Sequence, residues 1–176
     1  MAYLTETMLR QKAVEYYSLT KSAAGAPSVT IFLSHSHTDK DLVKGLITVL
    51  AEQGVAVYVD WNDASMPRVT SRETAERIKQ RIGEMSLFAI LATHNGLNSR
   101  WVPWETGVAD QKKPASCILV IPVADNSGQY PGSEYLQLYQ RFELDSSGVG
   151  RIAAPGEQLW EGKAASSFLQ RHVVYG

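Results

Sequence analysis

Four short apolar runs separated by helical patterns place the strongest constraint on how this chain folds. They are residues 29–33 (Val-Thr-Ile-Phe-Leu), 55–59 (Val-Ala-Val-Tyr-Val), 87–92 (Leu-Phe-Ala-Ile-Leu-Ala) and 116–123 (Ser-Cys-Ile-Leu-Val-Ile-Pro-Val). The third run is apolar at every position, as a strand covered on both faces has to be. Between the first two, Leu42, Val43, Leu46, Ile47 and Leu50 repeat at helical spacing, with Thr38 and Asp41 as an expected cap and Gly54 as an expected stop. Thr70 and Glu73 are the expected cap of a second helix, with Ala75, Ile78 and Ile82 on one face. A third helix is expected from residue 99. Ser99 is its candidate N-cap, Pro103 lies in its first turn, Lys112 and Lys113 suit its C-terminal end, and Pro114 stops it. Strand and helix therefore alternate, which predicts an α/β fold with an open parallel sheet covered on both faces.

Towards either end the pattern weakens. Residues 125–128 read as a turn, 135–139 as one helical turn, 141–144 as a short edge strand and 160–173 as a final helix. Leu4, Met8, Leu9, Val14, Tyr16 and Tyr17 fit an amphipathic helix, and residues 22–28 are small and rich in breakers. Residues 1–27 are thus expected to be a helical extension and linker, and 28–176 the domain. The extension could mask a site, dock a partner or cover a sheet edge.

A net charge of −1 over 176 residues gives no field to draw the chain to nucleic acid or an anionic membrane, so neither is expected as a partner. The single cysteine, Cys117, excludes an internal disulfide framework and reads as a buried thiol. No apolar stretch approaches the roughly 20 residues of a membrane span, and no signal-peptide pattern opens the chain, so a cytoplasmic location is expected.

Ligands of open parallel sheets bind outside the carboxyl ends of the strands. Here those ends deliver residues 34–39 (Ser-His-Ser-His-Thr-Asp), 60–67 (Asp-Trp-Asn-Asp-Ala-Ser-Met-Pro) and 93–98 (Thr-His-Asn-Gly-Leu-Asn). The last leads into the helix carrying Trp101, Trp104 and Glu105. Trp101, Glu105 and Ala109 share one helix face. An acid favoured by the helix dipole would explain Glu105 from its own segment; its place on the polar rim favours a role in a site. His35, His37 and Asp39 form an H-x-H-x-D pattern similar to that of metallo-β-lactamase-fold hydrolases, and such residues could hold zinc. Lys40 stands where that family has a further histidine, and a single β–α series does not suit its two mixed sheets, so no metal is expected.

Three boxes in order resemble a Toll/interleukin-1 receptor (TIR) domain of bacterial type. They are residues 31–43, a strand entering Ser-His-x-x-x-Asp; residues 57–67, the second strand and its loop; and residues 99–105, Ser-x-Trp-x-x-x-Glu. Met66-Pro-Arg68 departs from the Pro-Gly that many relatives carry in that loop. The resemblance implies a flavodoxin-like sheet of about five strands. It also implies cleavage of NAD+, as substrate rather than cofactor, between nicotinamide and ribose, with Glu105 catalytic. The product would be ADP-ribose or a cyclised messenger, as in standalone antiphage-defence (Thoeris-like) relatives that signal to an effector protein. His35, Ser36, Asp60, Trp61, Asn62, Asp63, Met66 and Trp101 are the expected substrate contacts. A non-enzymatic adaptor working through homotypic TIR–TIR contacts is the alternative, and a nucleoside deoxyribosyltransferase a more distant one.

Overall fold

The computed structural model describes residues 3–16, 29–52, 56–58 and 71–172. In chain order the elements are β1 (Leu4–Thr5), α1 (Glu6–Ala13), β2 (Thr30–Ser34), a 3-10 turn at His37–Asp39, α2 (Lys40–Glu52) and β3 (Ala56–Tyr58). Then follow α3 (Arg72–Glu84), β4 (Leu87–Ala92), the single turn α4 (His94–Leu97), α5 (Trp101–Lys112) and β5 (Ile118–Ala124). A 3-10 turn at Glu134–Leu138, β6 (Gln140–Leu144), β7 (Gly150–Ala153), β8 (Lys163–Ala164) and α6 (Ala165–Gln170) complete the described chain.

The main path of the sheet runs β3-β2-β4-β5-β6-β7-β8. Its first five strands are parallel, and counted along the chain from β2 their order is 2-1-3-4-5, the flavodoxin-like arrangement. The order reverses between β2 and β4, the point at which open α/β sheets bind ligands outside the carboxyl ends of their strands. Residues 141–144 form a strand as expected, but not at an edge: β7 and β8 add antiparallel strands beyond it. The expected final helix is also shortened to α6. Leu159–Glu161 form a 3-10 turn and Lys163–Ala164 the strand β8 instead, and Gly162 between them lies so close to β7 that a Cβ would sit 2.6 Å from the Ile152 carbonyl oxygen.

Alternation in the strands separates two apolar clusters, one per face. Ile31, Leu33, Ala89, Leu91, Leu119 and Ile121 face α1, α2 and α6; Phe32, Phe88, Ile90, Ile118 and Val120 face α3 and α5. The cap of α3 is Ser71, whose hydroxyl accepts from Thr74 N at 3.2 Å; the expected Thr70 lies outside the described residues, as does Gly54. Thr38 does not cap α2 but shares a hydrogen bond with Ser36, 2.9 Å between hydroxyl oxygens.

The boundary drawn at residue 28 separates pieces that share one core. β1 pairs with the last residues of β5, Leu4 opposite Val123 and Thr5 opposite Ala124. Leu4 and Leu9 are fully buried in the cluster that holds Val43 and Leu46. Thr5 caps α1 by accepting from Met8 N. Glycine at position 45 lets α1 lie on α2, because a Cβ there would fall 1.8 Å from the Leu9 carbonyl oxygen.

Two turns of the form Asp-x-Ser-Gly flank β6. Asp125 and Asp145 each accept from the backbone and hydroxyl of the serine two residues on, and Gly128 and Gly148 take φ of 80°. Between the first turn and β6 lie Tyr130, Tyr135 and Tyr139. The Tyr139 hydroxyl donates to Asp110 of α5 at 2.9 Å.

Two expectations follow. Replacing Gly45 by alanine displaces α1 and lowers stability by about 2 kcal/mol or more, read as a fall in the urea midpoint at unchanged slope. Burial pushes Tyr130 and Tyr139 up to about 12 from 10.0, the bond to Asp110 adding to the effect at Tyr139. The folded state therefore prefers both phenols neutral. That contribution is complete below about pH 10 and is lost as pH rises to about 12, so the urea midpoint falls across this window and falls less in Tyr139→Phe.

Candidate active site

The carboxylate of Glu105 lies one turn into α5, and the residue is only 7% exposed. A buried carboxylate is costly unless hydrogen-bonded. The Ser34 hydroxyl, at the carboxyl end of β2, donates to Glu105 Oε2 at 2.5 Å. Period-two alternation explains the meeting: Ser34 follows Phe32 on the sheet face that α5 covers. The bond crosses from strand to helix at the point where the strand order reverses, between β2 and β4.

Ser99 enters α5 in a capping role. Its hydroxyl accepts from Trp101 N at 3.2 Å and Val102 N at 3.5 Å, while Arg100 is the half-helical residue. Trp101 and Trp104 are both half-buried and meet edge to face, ring centres 5.3 Å apart. Both pack on the cluster beneath α5.

A second buried carboxylate holds the rim. Asp39, 2% exposed, accepts from Thr93 Oγ1 at 2.5 Å and from Asn95 Nδ2 at 2.6 Å. Thr93 Oγ1 in turn accepts from Gly96 N at 2.8 Å, capping α4. Gly96 is required there, since a Cβ would lie 2.5 Å from the Leu91 carbonyl oxygen. Asp39 thus ties the loop after β2 to the loop after β4, and so fixes where α5 begins.

Of the expected contacts, His35 and Ser36 lie on this rim. His35 Nδ1 is 2.8 Å from the Leu33 carbonyl oxygen, and since a carbonyl only accepts, Nδ1 carries a proton and donates to it. Ser36 is 8% exposed and its carbonyl accepts from Asp39 N. Asp60, Trp61, Asn62, Asp63 and Met66 lie outside the described residues. The H-x-H-x-D pattern does not converge: His35 is turned to its own backbone, His37 is exposed, and Asp39 is taken by Thr93 and Asn95. Among the described residues no three such side chains gather as metal ligands. Ser34 and Asp39 were not singled out as site residues. The signal for Ser34 was available, as a polar residue in phase with Phe32. Asp39 was visible as part of the metal pattern and as the acid that closes the first TIR box, neither of which points to Thr93 or Asn95.

No helix among the described residues is long and apolar enough to cross a membrane. Cys117 is half-buried, with Sγ 3.7 Å from His172 Nε2.

Comparison with known proteins agrees with this geometry. The family model of the TIR domain matches residues 31–153, and the chain belongs to that family. It is 36% identical over 111 residues to the "Probable 3' cyclic ADP-D-ribose synthase ThsB'" of Bacillus cereus (strain MSX-D12), covering 62% of this chain and 58% of the relative. It is 30% identical over 78 residues to the "Putative cyclic ADP-D-ribose synthase TIR2" of Cytobacillus dafuensis, covering 43% of this chain and 21% of the relative. The chain thus spans little more than half of the first relative and about a fifth of the second.

The Asp39 clamp makes a measurable prediction. Asp39→Asn exchanges charge-assisted bonds for weaker ones and places a donor where two donors already point. It is expected to cost about 3 kcal/mol by urea denaturation. Thr93→Val in that background should add little, because the two residues act as one unit.

Proposed function

We propose that this TIR domain cleaves the bond between nicotinamide and ribose in NAD+, with Glu105 as the catalytic residue. The observation that carries this reading is the buried Glu105 carboxylate, held by the Ser34 hydroxyl at the carboxyl end of β2, with Trp101 one turn before it in α5. The names of the two relatives, both cyclic ADP-D-ribose synthases, support it.

The chemistry suits one fixed acid. As the C1'–N bond breaks, its electron pair leaves with nicotinamide, whose ring nitrogen becomes neutral. A general acid is therefore dispensable. Positive charge builds on the ribose ring, as in glycoside hydrolysis, and a preorganised carboxylate in a dry setting stabilises it. Either water or a nucleophilic group within the same ADP-ribosyl moiety then attacks C1' and releases a proton. The first route gives ADP-ribose and the second a cyclic product.

Each neighbour has a part in this scheme. Ser34 is a positioning residue that sets the plane of the Glu105 carboxylate. His35 and Ser36 bond the nucleotide at the rim, and Trp101 walls the ribose pocket. We assign the product to a messenger for an effector in antiphage defence, with self-association through TIR–TIR contacts assembling the active form.

The deciding measurement is nicotinamide release from NAD+ by purified protein at high concentration. Glu105→Gln is expected to lower the rate by about a thousandfold, the scale of losing a preorganised electrostatic group. Ser34→Ala should lower kcat by about tenfold with KM little changed, since it acts through Glu105. Equal rates for wild type and Glu105→Gln would remove Glu105 from catalysis. An active wild type that assembles yet releases no nicotinamide at any concentration would favour the adaptor.

A further inference from the structure

A second concavity lies on the same sheet face as Glu105, but further along the sheet. Ser34, Ile90, Val120 and Arg141 are register partners in one row across β2, β4, β5 and β6. With strands spaced about 4.8 Å apart, Arg141 stands about 14 Å from Ser34. Over β5 and β6 this row opens into a cavity of about 580 Å³, the size of a small-molecule site. Val120, Pro122, Arg141 and Glu143 form its floor, and Tyr3 and Tyr130 form part of its wall.

The polar groups of this cavity are incompletely used. Glu143 is 4% exposed, and its Oε1 accepts from Arg141 Nε at 2.7 Å. Its Oε2 has no hydrogen-bond donor among the described residues. The hydroxyl of Tyr130 likewise has no partner among them, and the adjacent Tyr135 hydroxyl is fully buried without one. Glu143 Oε2 and the Tyr130 hydroxyl are not sealed off as the Tyr135 hydroxyl is, so both are open to a molecule in the cavity, and an acceptor and a donor lining one cavity suit a molecule with the opposite pattern. Burial keeps the Tyr130 phenol protonated through ordinary pH, so it acts as a donor.

Charge narrows the choice. Arg141 is neutralised by Glu143, and its remaining nitrogens reach the carbonyls of Ala154 at 3.5 Å and Glu157 at 2.5 Å. Among the described residues no other lysine or arginine lines the cavity, so it offers little to a phosphate. The rings of Tyr3 and Tyr130, centres 5.2 Å apart and tilted by 57°, give an aromatic edge suited to a planar ring. We propose that this cavity binds a neutral, planar nitrogen heterocycle of the nucleoside class, separately from the Glu105 site. A ring or exocyclic N–H donates to Glu143 Oε2, and a ring nitrogen accepts from Tyr130.

Isothermal titration calorimetry of the purified chain tests this, with adenosine as the probe and AMP as its charged counterpart. Adenosine is expected to bind with a Kd between about 10 μM and 1 mM, with AMP no tighter. Loss of one hydrogen bond in Tyr130→Phe should raise the Kd about fivefold, and Glu143→Gln about tenfold or more. Glu105→Gln should leave the Kd unchanged, which separates this site from the catalytic one. Should Glu143→Gln fail to fold by circular dichroism, Tyr130→Phe decides alone, since it removes one oxygen at constant shape. No adenosine heat at millimolar concentration would show a cavity filled by water alone and overturn the proposal. So would a Kd unchanged in Tyr130→Phe, or AMP binding tenfold more tightly than adenosine.

Discussion

The hydrogen bond from Ser34 to Glu105 joins the two layers that meet at the rim. One partner ends a central strand, and the other lies in the helix that covers that strand. A carboxylate buried to this degree has to be satisfied by the protein, so sheet and helix are held in one relative position for the acid to be accommodated at all. Phe32, Ile90 and Val102 below it supply an apolar base that keeps out water. The dry setting that makes the acid costly is also what strengthens its field.

Asp39 does for the backbone what Ser34 does for the side chain. It holds the loops after β2 and β4 together through Thr93 and Asn95, and the second loop leads directly into α5. The two buried carboxylates are therefore a division of labour. One is anchored among loop donors, and the other is presented at the opening between strands.

The parallel core was legible because its signal is local. A strand buried on both faces has to be apolar throughout, and β4 and β5 are; an amphipathic helix has to repeat near 3.6 residues, and α2 does. Glu105 could be placed because Trp101 and Ala109 share its face and the strand ends converge on it. What escaped notice depends on contacts distant in sequence. The antiparallel strands β7 and β8 are only four and two residues long, too short to show a period. The place of residues 4–13 rests on a glycine in another helix, and the role of Asp39 on a threonine 54 positions away. The cavity beside β6 is likewise assembled from Tyr3 ahead of β1, from β5 and β6, and from the segments after β5 and β7.

The seat of residues 4–13 also bears on the order in which the chain folds. The hydrogen bond from Thr7 to Asn126 at the edge of this contact closes a span of 119 positions, and β1 has no partner until β5 exists. The parallel units from β2 to β5 bring together neighbours in sequence and close shorter loops. During synthesis, β1 leaves the ribosome before every strand it could pair with. Its pairing with β5 therefore waits until β5 has been made.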